Sequence, residues 1–102
     1  MIRVTVSYPS AEGQRFDHGY YQTKHRALIL ELLEPHGLQR LEIDACLANG
    51  AGKPPPTVAA AHMVFGDQAA FQAGMAVAGK ALAADMKNYT DTVPTVVISD
   101  MR

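Results

Sequence analysis

Few side chains in this sequence carry reactivity near neutral pH. They are four histidines (His18, His25, His36, His62), the single cysteine Cys46 and four tyrosines. Among them His25 has the most informative surroundings. It lies within YYQTKHRALILELL, Tyr20 to Leu33, four residues after Tyr21. At about 100° per residue of α-helix, Leu28, Leu32, Ile29 and Leu33 share one arc with Tyr21 and His25, while Thr23, Ala27, Glu31 and Glu34 lie opposite. The spacing predicts a histidine near the centre of a core-facing apolar stripe, with Leu30 pointing away as a lone exposed leucine.

A neutral imidazole in such a layer must satisfy both its N–H and its bare nitrogen, or lose about 1–3 kcal/mol for each. Burial disfavours the charged form and lowers the pKa. A histidine so placed accepts protons at neutral pH and suits general-base work on any substrate that reaches it. The plainer reading is a core histidine bonded to a backbone carbonyl or a tyrosine hydroxyl. Tyr21, one turn earlier, is expected to orient His25 or to donate a hydrogen bond to a developing oxyanion.

His62 is the second catalytic candidate. It alternates with Val58, Ala60 and Val64, so it meets His25 across a pocket if that strand face is turned to the helices. If not, it lies in a subunit interface. Phe71, Gly74, Met75, Ala78, Leu82 and Met86 form a second helical stripe, which is either plain core or the wall of an apolar hollow fitted by adaptable methionines. Phe71, Met75, Leu28 and Tyr89 are the candidate ligand-binding residues. His18 and His36 fall at helix ends and read as structural or exposed, the latter favoured by the helix dipole. No HxxxH or ExxH spacing occurs, so no metal site is expected. One cysteine precludes an intrachain disulfide and a four-thiolate zinc site.

The elements that hold these groups follow from periodicity. Ile2 to Tyr8 alternates with the period of a half-buried strand. Asp17 is a plausible N-cap, and Pro35-His36-Gly37 ends the helix that follows. Leu38 to Ala48 alternates again, Asn49 to Pro56 is a loop, and Thr57 to Phe65 is a third strand. Asp67 opens an alanine-rich helix over Gln68 to Met86, and Thr95 to Ser99 is a last strand that Pro94 marks as an edge. The order βαββαβ predicts an α+β, ferredoxin-like domain: a four-stranded antiparallel sheet with both helices on one face. The third strand is apolar on both faces and the last contains Val96-Val97-Ile98, so the uncovered sheet face is expected to pack on a second copy of the chain.

The sequence has 102 residues, 48% hydrophobic and 19% charged, with a net charge of -1. That fits one small domain and argues against nucleic-acid or membrane-surface partners, which would bring a basic excess. With neither a signal-like start nor a long apolar run, a cytoplasmic location is expected.

The string RFDHGYYQTKHRALILELL, with YP after the first strand, resembles the EthD family, whose first helix opens with a similar Phe-Asp, Tyr-Tyr and spaced-His pattern. PPPTVAAAHMVFGDQAAFQA and DMKNYT resemble its second half, so the likeness runs from Ile2 to about Ser99. Ala27 departs from it where many relatives have proline, a change of helix geometry more than of chemistry. The resemblance implies a dimeric α/β barrel with a pocket between sheet and helices. It favours His25 as the functional histidine, and Tyr21, Tyr89 and His62 less strongly. The family's namesake is associated with bacterial ethyl tert-butyl ether degradation, as an accessory to an oxygenase system. Wider relatives include isomerases, cyclases and cofactor-free monooxygenases. A haem branch holds iron through a histidine on the second helix, where this chain has none, so no cofactor is expected.

Two readings follow. One is a cofactor-free acid/base enzyme acting on a small apolar oxygenated molecule. The other is a non-catalytic binding or accessory protein.

Overall fold

The alternation at the start of the chain becomes strand β1, Ile2–Pro9. In the computed structural model, which describes residues 1–102, β1 pairs antiparallel with both β3, Thr57–Phe65, and β4, Thr95–Asp100. Strand β2, Arg40–Ala45, pairs antiparallel with β3, giving the sheet order β2-β3-β1-β4. This is the ferredoxin-like α+β arrangement expected from the order of elements. Pro94 precedes β4, an edge strand, as its missing N–H requires.

The first helical stretch, residues 18–36, is not uniform. An α-turn at His18–Tyr20 leads into a π-helical segment, Tyr21–His25, followed by an α-helix, Arg26–Leu33, and a 3-10 turn, Glu34–His36. The Arg26 N–H reaches back to the Tyr21 carbonyl, five residues earlier. A wide turn of this kind rotates everything after it relative to a regular α-helix. Its consequence is a buried row at Tyr21, His25, Ile29 and Leu33, every fourth residue. Leu28 is turned out of that row to a half-buried position, and Leu30 packs on the edge of the core instead of pointing away. Gly37 ends the helix with φ 98°, and the Leu38 N–H returns to the Leu33 carbonyl at 3.2 Å. That closure removes Leu38 and Gln39 from β2, which starts later than its alternation suggested.

The second helix, Gln68–Asp85, is capped by the Asp67 carboxylate, which accepts from the Ala70 N–H, and runs on into a 3-10 turn, Met86–Asn88. It approaches the first helix at Gly74. A Cβ there would lie 3.1 Å from both His36 Cβ and Leu33 Cδ2, a tight approach to which both neighbours would have to give by a few tenths of an ångström. No helix is long and apolar enough to cross a membrane.

The core lies between helices and sheet. Val4, Ala61, Met63 and Phe65 from the strands meet Ile29, Leu33, Phe71 and Ala78 from the helices. Leu33 is fully buried, and truncating such a leucine to alanine costs about 2–5 kcal/mol. The opposite sheet face carries Arg3, Thr5, Glu42, Asp44, His62 and Ser99. There Val64 is flanked in register by Arg3 and Arg40 and is already 3% exposed within one chain. The exposed apolar side chains are on β4: Val97, 52% exposed, pairs with Thr5 on this face, whereas Val96 and Ile98, 53% and 39% exposed, pair with Val6 and Val4 on the helix side.

Candidate active site

The N-terminal end of the first helix lies beside the C-terminal end of the second, because the connections of this fold run the helices antiparallel. Hydrogen bonds to backbone carbonyls fix the junction. The Asp17 N–H donates to the Tyr89 carbonyl at 2.8 Å, and the Thr90 hydroxyl donates to the Arg15 carbonyl at 2.8 Å. Asp17 also caps the first helix, its carboxylate accepting from the Tyr20 N–H at 3.0 Å. The cap and the return segment thus bring His25, Asp85 and Tyr89 together from distant parts of the chain.

His25 is 5% exposed. Its Nδ1 lies 2.8 Å from Asp85 Oδ2, and its Nε2 lies 3.4 Å from the Tyr89 hydroxyl. The Tyr89 and Tyr8 hydroxyls are 2.7 Å apart. Tyr21 stacks on the imidazole, with ring centroids 5.3 Å apart and planes at 16°. Asp85 is held in turn by the Tyr20 hydroxyl at 2.6 Å and by Asn88 Nδ2 at 2.9 Å, both donating to Oδ1.

Burial lowers the pKa of His25 below its ordinary value, and Asp85 opposes this only in part. Asp85 is pushed up by partial burial, but hydrogen bonds from Tyr20, His25 and Asn88 outweigh that and hold it below the usual carboxylate value. At neutral pH the pair is therefore a carboxylate and a neutral imidazole. The Nδ1–H donates to Asp85, which leaves Nε2 as the acceptor. Burial raises the pKa of Tyr8, Tyr21 and Tyr89, so these hydroxyls stay protonated and remain donors. One consistent direction runs through the cluster: Tyr8 to Tyr89 to His25 Nε2, and His25 Nδ1–H to Asp85.

The cluster borders a cavity of about 160 Å³ between sheet and helices, whose walls include Val6, Ala61, Met63, Met75, Leu82 and Met86. Its polar edge is the His25, Tyr8, Tyr21 and Tyr89 group. An apolar hollow with a few convergent polar groups is the usual form of a small-molecule site.

The structure gathers Tyr21, His25, Met75 and Tyr89 around this cavity. Phe71 is elsewhere, packed edge-on against Phe65 with centroids 5.5 Å apart in the core. Leu28 does not line the cavity; Ile29 does, as the π-turn dictates. His62 is on the opposite sheet face, with Nε2 2.9 Å from Asp44 Oδ2 and Nδ1 3.5 Å from the Thr5 hydroxyl. It does not meet His25, because in-register pairing with Thr5 and Glu42 fixes it on the side away from the helices. Asp85, Tyr8 and Tyr20 were not anticipated as members of the site. Asp85 carried one signal: an acidic side chain in the last turn of a helix opposes the dipole and needs donors from elsewhere.

The family model described as the EthD domain matches residues 11–93. The chain belongs to the EthD family. Among solved structures, an EthD-like protein from Ralstonia eutropha JMP134 is 35% identical with a TM-score of 0.91, over 97% of this chain and 89% of that one. An EthD-family protein from Bacillus halodurans C-125 superposes with a TM-score of 0.78 at 19% identity, over 100% of this chain and 99% of that one. A dimeric ferredoxin-like protein from Jannaschia sp. CCS1 shares the fold, with a TM-score of 0.59 at 20% identity over 98% and 97% of the two chains. No curated protein matches this EthD-family sequence.

Proposed function

We propose that this EthD-family protein is a small acid/base enzyme, of isomerase, cyclase or monooxygenase type, acting on a compact, mostly apolar, oxygenated molecule. One observation carries the reading: a buried neutral histidine with one ring nitrogen anchored by Asp85 and the other at the wall of an apolar cavity. A cavity of about 150 Å³ admits a single benzene-sized ring, so lactones, cyclic ketones and phenols of one ring are the substrate class.

In the first step Nε2 of His25 takes a proton from carbon next to a carbonyl, or from a phenolic hydroxyl. The freed electron pair moves onto the carbonyl oxygen, giving an enolate, or remains on the phenolate oxygen. Tyr89, itself accepting from the Tyr8 hydroxyl, turns its own proton from Nε2 to that oxyanion and stabilises it. Asp85 stabilises the imidazolium through Nδ1–H. Returning the proton at another carbon completes an isomerisation without any redox partner. The Tyr89 contact to Nε2 is long at 3.4 Å, so a substrate displaces it at small cost. Such proton transfer supplies about 10²–10⁴-fold, and the cavity must supply the remainder by positioning.

The test does not require the natural substrate. Single-ring lactones and cyclic ketones are incubated with the protein in D₂O, and NMR follows exchange at the carbon beside the carbonyl. The wild type is expected to exchange at least one of them, and a folded His25→Gln variant to lose that exchange. Equal exchange by both proteins would overturn the reading in favour of a binding or accessory role.

We also propose a homodimer formed through the open sheet face, including Val97. The support is Val97, 52% exposed and paired with Thr5 on that face, together with the dimeric state of the Jannaschia relative. Sedimentation is expected to give twice the chain mass, and Val97→Asp to shift the protein towards monomer. A wild type sedimenting as monomer contradicts this.

A further inference from the structure

Two glycines interrupt the second helix, and only one is closely packed. Gly74 is: a Cβ there would press on His36 and Leu33 at 3.1 Å. Gly79 is not. A Cβ at Gly79 would meet only the flexible end of Met75, Cε at 3.4 Å, which is ordinary contact. Its φ does not lie in the left-handed region, so no backbone conformation demands glycine either. A glycine inside a helix lowers helix stability relative to alanine. At Gly79 the packing and the backbone offer nothing in return.

What Gly79 does have is a place in the cavity wall. It lies one turn before Ala83, which lines the same cavity, while Ala61 contributes a small side chain from β3. The walls to either side carry Met75, Leu82 and Met86. We propose that Gly79 is a specificity-determining residue, kept without a side chain so that a ring bound at the Tyr8, Tyr89 and His25 edge can extend past the second helix. The ligands so selected are single rings bearing one oxygen and a short apolar substituent. The inference rests on the cavity of the proposed function but not on its chemistry.

The test measures binding and stability, with turnover playing no part. Phenol, 4-methylphenol, 4-ethylphenol and 4-propylphenol are titrated calorimetrically into wild type, Gly79→Ala, Gly79→Val and Gly74→Ala. For Gly79→Ala, the expected outcome is a Tm raised by about 4 °C. Its affinity for phenol is expected to stay within two-fold of wild type, and its affinity for the longest phenol the wild type accepts to fall at least ten-fold. Gly79→Val is expected to reject shorter members of the series. Gly74→Ala is expected to lower Tm, since His36 and Leu33 must move. The proposal is overturned if Gly79→Ala lowers Tm, if its size profile matches wild type, or if the wild type binds none of the phenols. Repeating the series with His25→Gln separates the two claims: an unchanged size profile with lost exchange upholds both, and an unchanged profile with undiminished exchange sinks only the catalytic one.

Discussion

Two histidines in this chain sit against aspartates at nearly the same distance, 2.8 Å for His25 with Asp85 and 2.9 Å for His62 with Asp44. They occupy opposite faces of one sheet. The His25 side chain is 6% exposed and Asp85 14%, whereas His62 is 27% exposed and Asp44 58%. At the first pair, both side chains are largely buried, the carboxylate is held by two further donors, and an apolar cavity adjoins the ring. At the second, solvent screens the pair and the hollow around it has no apolar residue. Identical residue types at nearly equal distance thus acquire different capacities from their surroundings. A buried pair couples strongly to what happens beside it, while an exposed pair is worth about 0–1 kcal/mol and little else.

The widest separation between the two is expected in catalysis. His25→Gln should lower turnover, or solvent exchange of a bound ketone, by about 10²–10⁴-fold. His62→Gln should change it less than about two-fold, since His62 is remote from the cavity. A comparable loss in both variants, with folds intact by circular dichroism, would erase the distinction.

The carboxylates come next. Asp85→Asn should cost about 10–100-fold in activity, the range seen when a carboxylate that orients a metal-bound histidine is lost. It should also lower the His25 titration midpoint further, because Asp85 is the influence that raises it. Asp44→Asn should shift stability by under about 1 kcal/mol in denaturant melts. If Asp85→Asn left the His25 midpoint in place, the coupling would be absent.

Tyr89→Phe is a smaller perturbation. It leaves the buried Tyr8 hydroxyl without its 2.7 Å partner, at a cost of about 1–3 kcal/mol in chemical denaturation. An unchanged midpoint would show that another group satisfies Tyr8.

The gentlest effect is that of pH on stability. The folded pKa of His25 lies below its ordinary 6.5, so below pH 6.5 the unfolded chain binds more protons than the folded one. Stability contributed by neutral His25 is therefore complete above pH 6.5 and is lost as pH falls from there through the lower folded pKa. The folded pKa of Asp85 lies below 3.8. Its contribution is present above that value and disappears as acid takes it below 3.8. Urea melts across this range should show the upper loss in wild type and lack it in His25→Gln.

Much of this was legible in the sequence. Alternation at Ile2 to Tyr8 and at Thr57 to Phe65 placed the strands almost to the residue. The Asp17 and Asp67 caps located both helix starts. His25 was visible because a histidine among leucines and isoleucines breaks a pattern. Leu28 was misplaced because its wheel assumed one period throughout, and no residue in YQTKH announces a π-turn. The side taken by His62 depended on the register of β3 against β1 and β2, a non-local property that period-two patterning does not encode. Asp85 and Tyr8 stand 60 and 81 residues from their partners His25 and Tyr89. Only the folded topology, which returns the end of the second helix to the start of the first, makes them neighbours. Local patterns specify elements; contacts between distant elements make the site.

The proposed chemistry requires a neutral His25, with its proton on Nδ1 and its Nε2 free to accept. Nitrogen-15 NMR of the imidazole rings at pH 7, with His25→Gln to assign the signals, addresses this directly. The expected result is a neutral His25 in the Nδ1–H form whose Nε2 resonance moves when a phenol enters the cavity. A charged His25, or the Nε2–H form with a resonance indifferent to the ligand, would contradict the proposed chemistry.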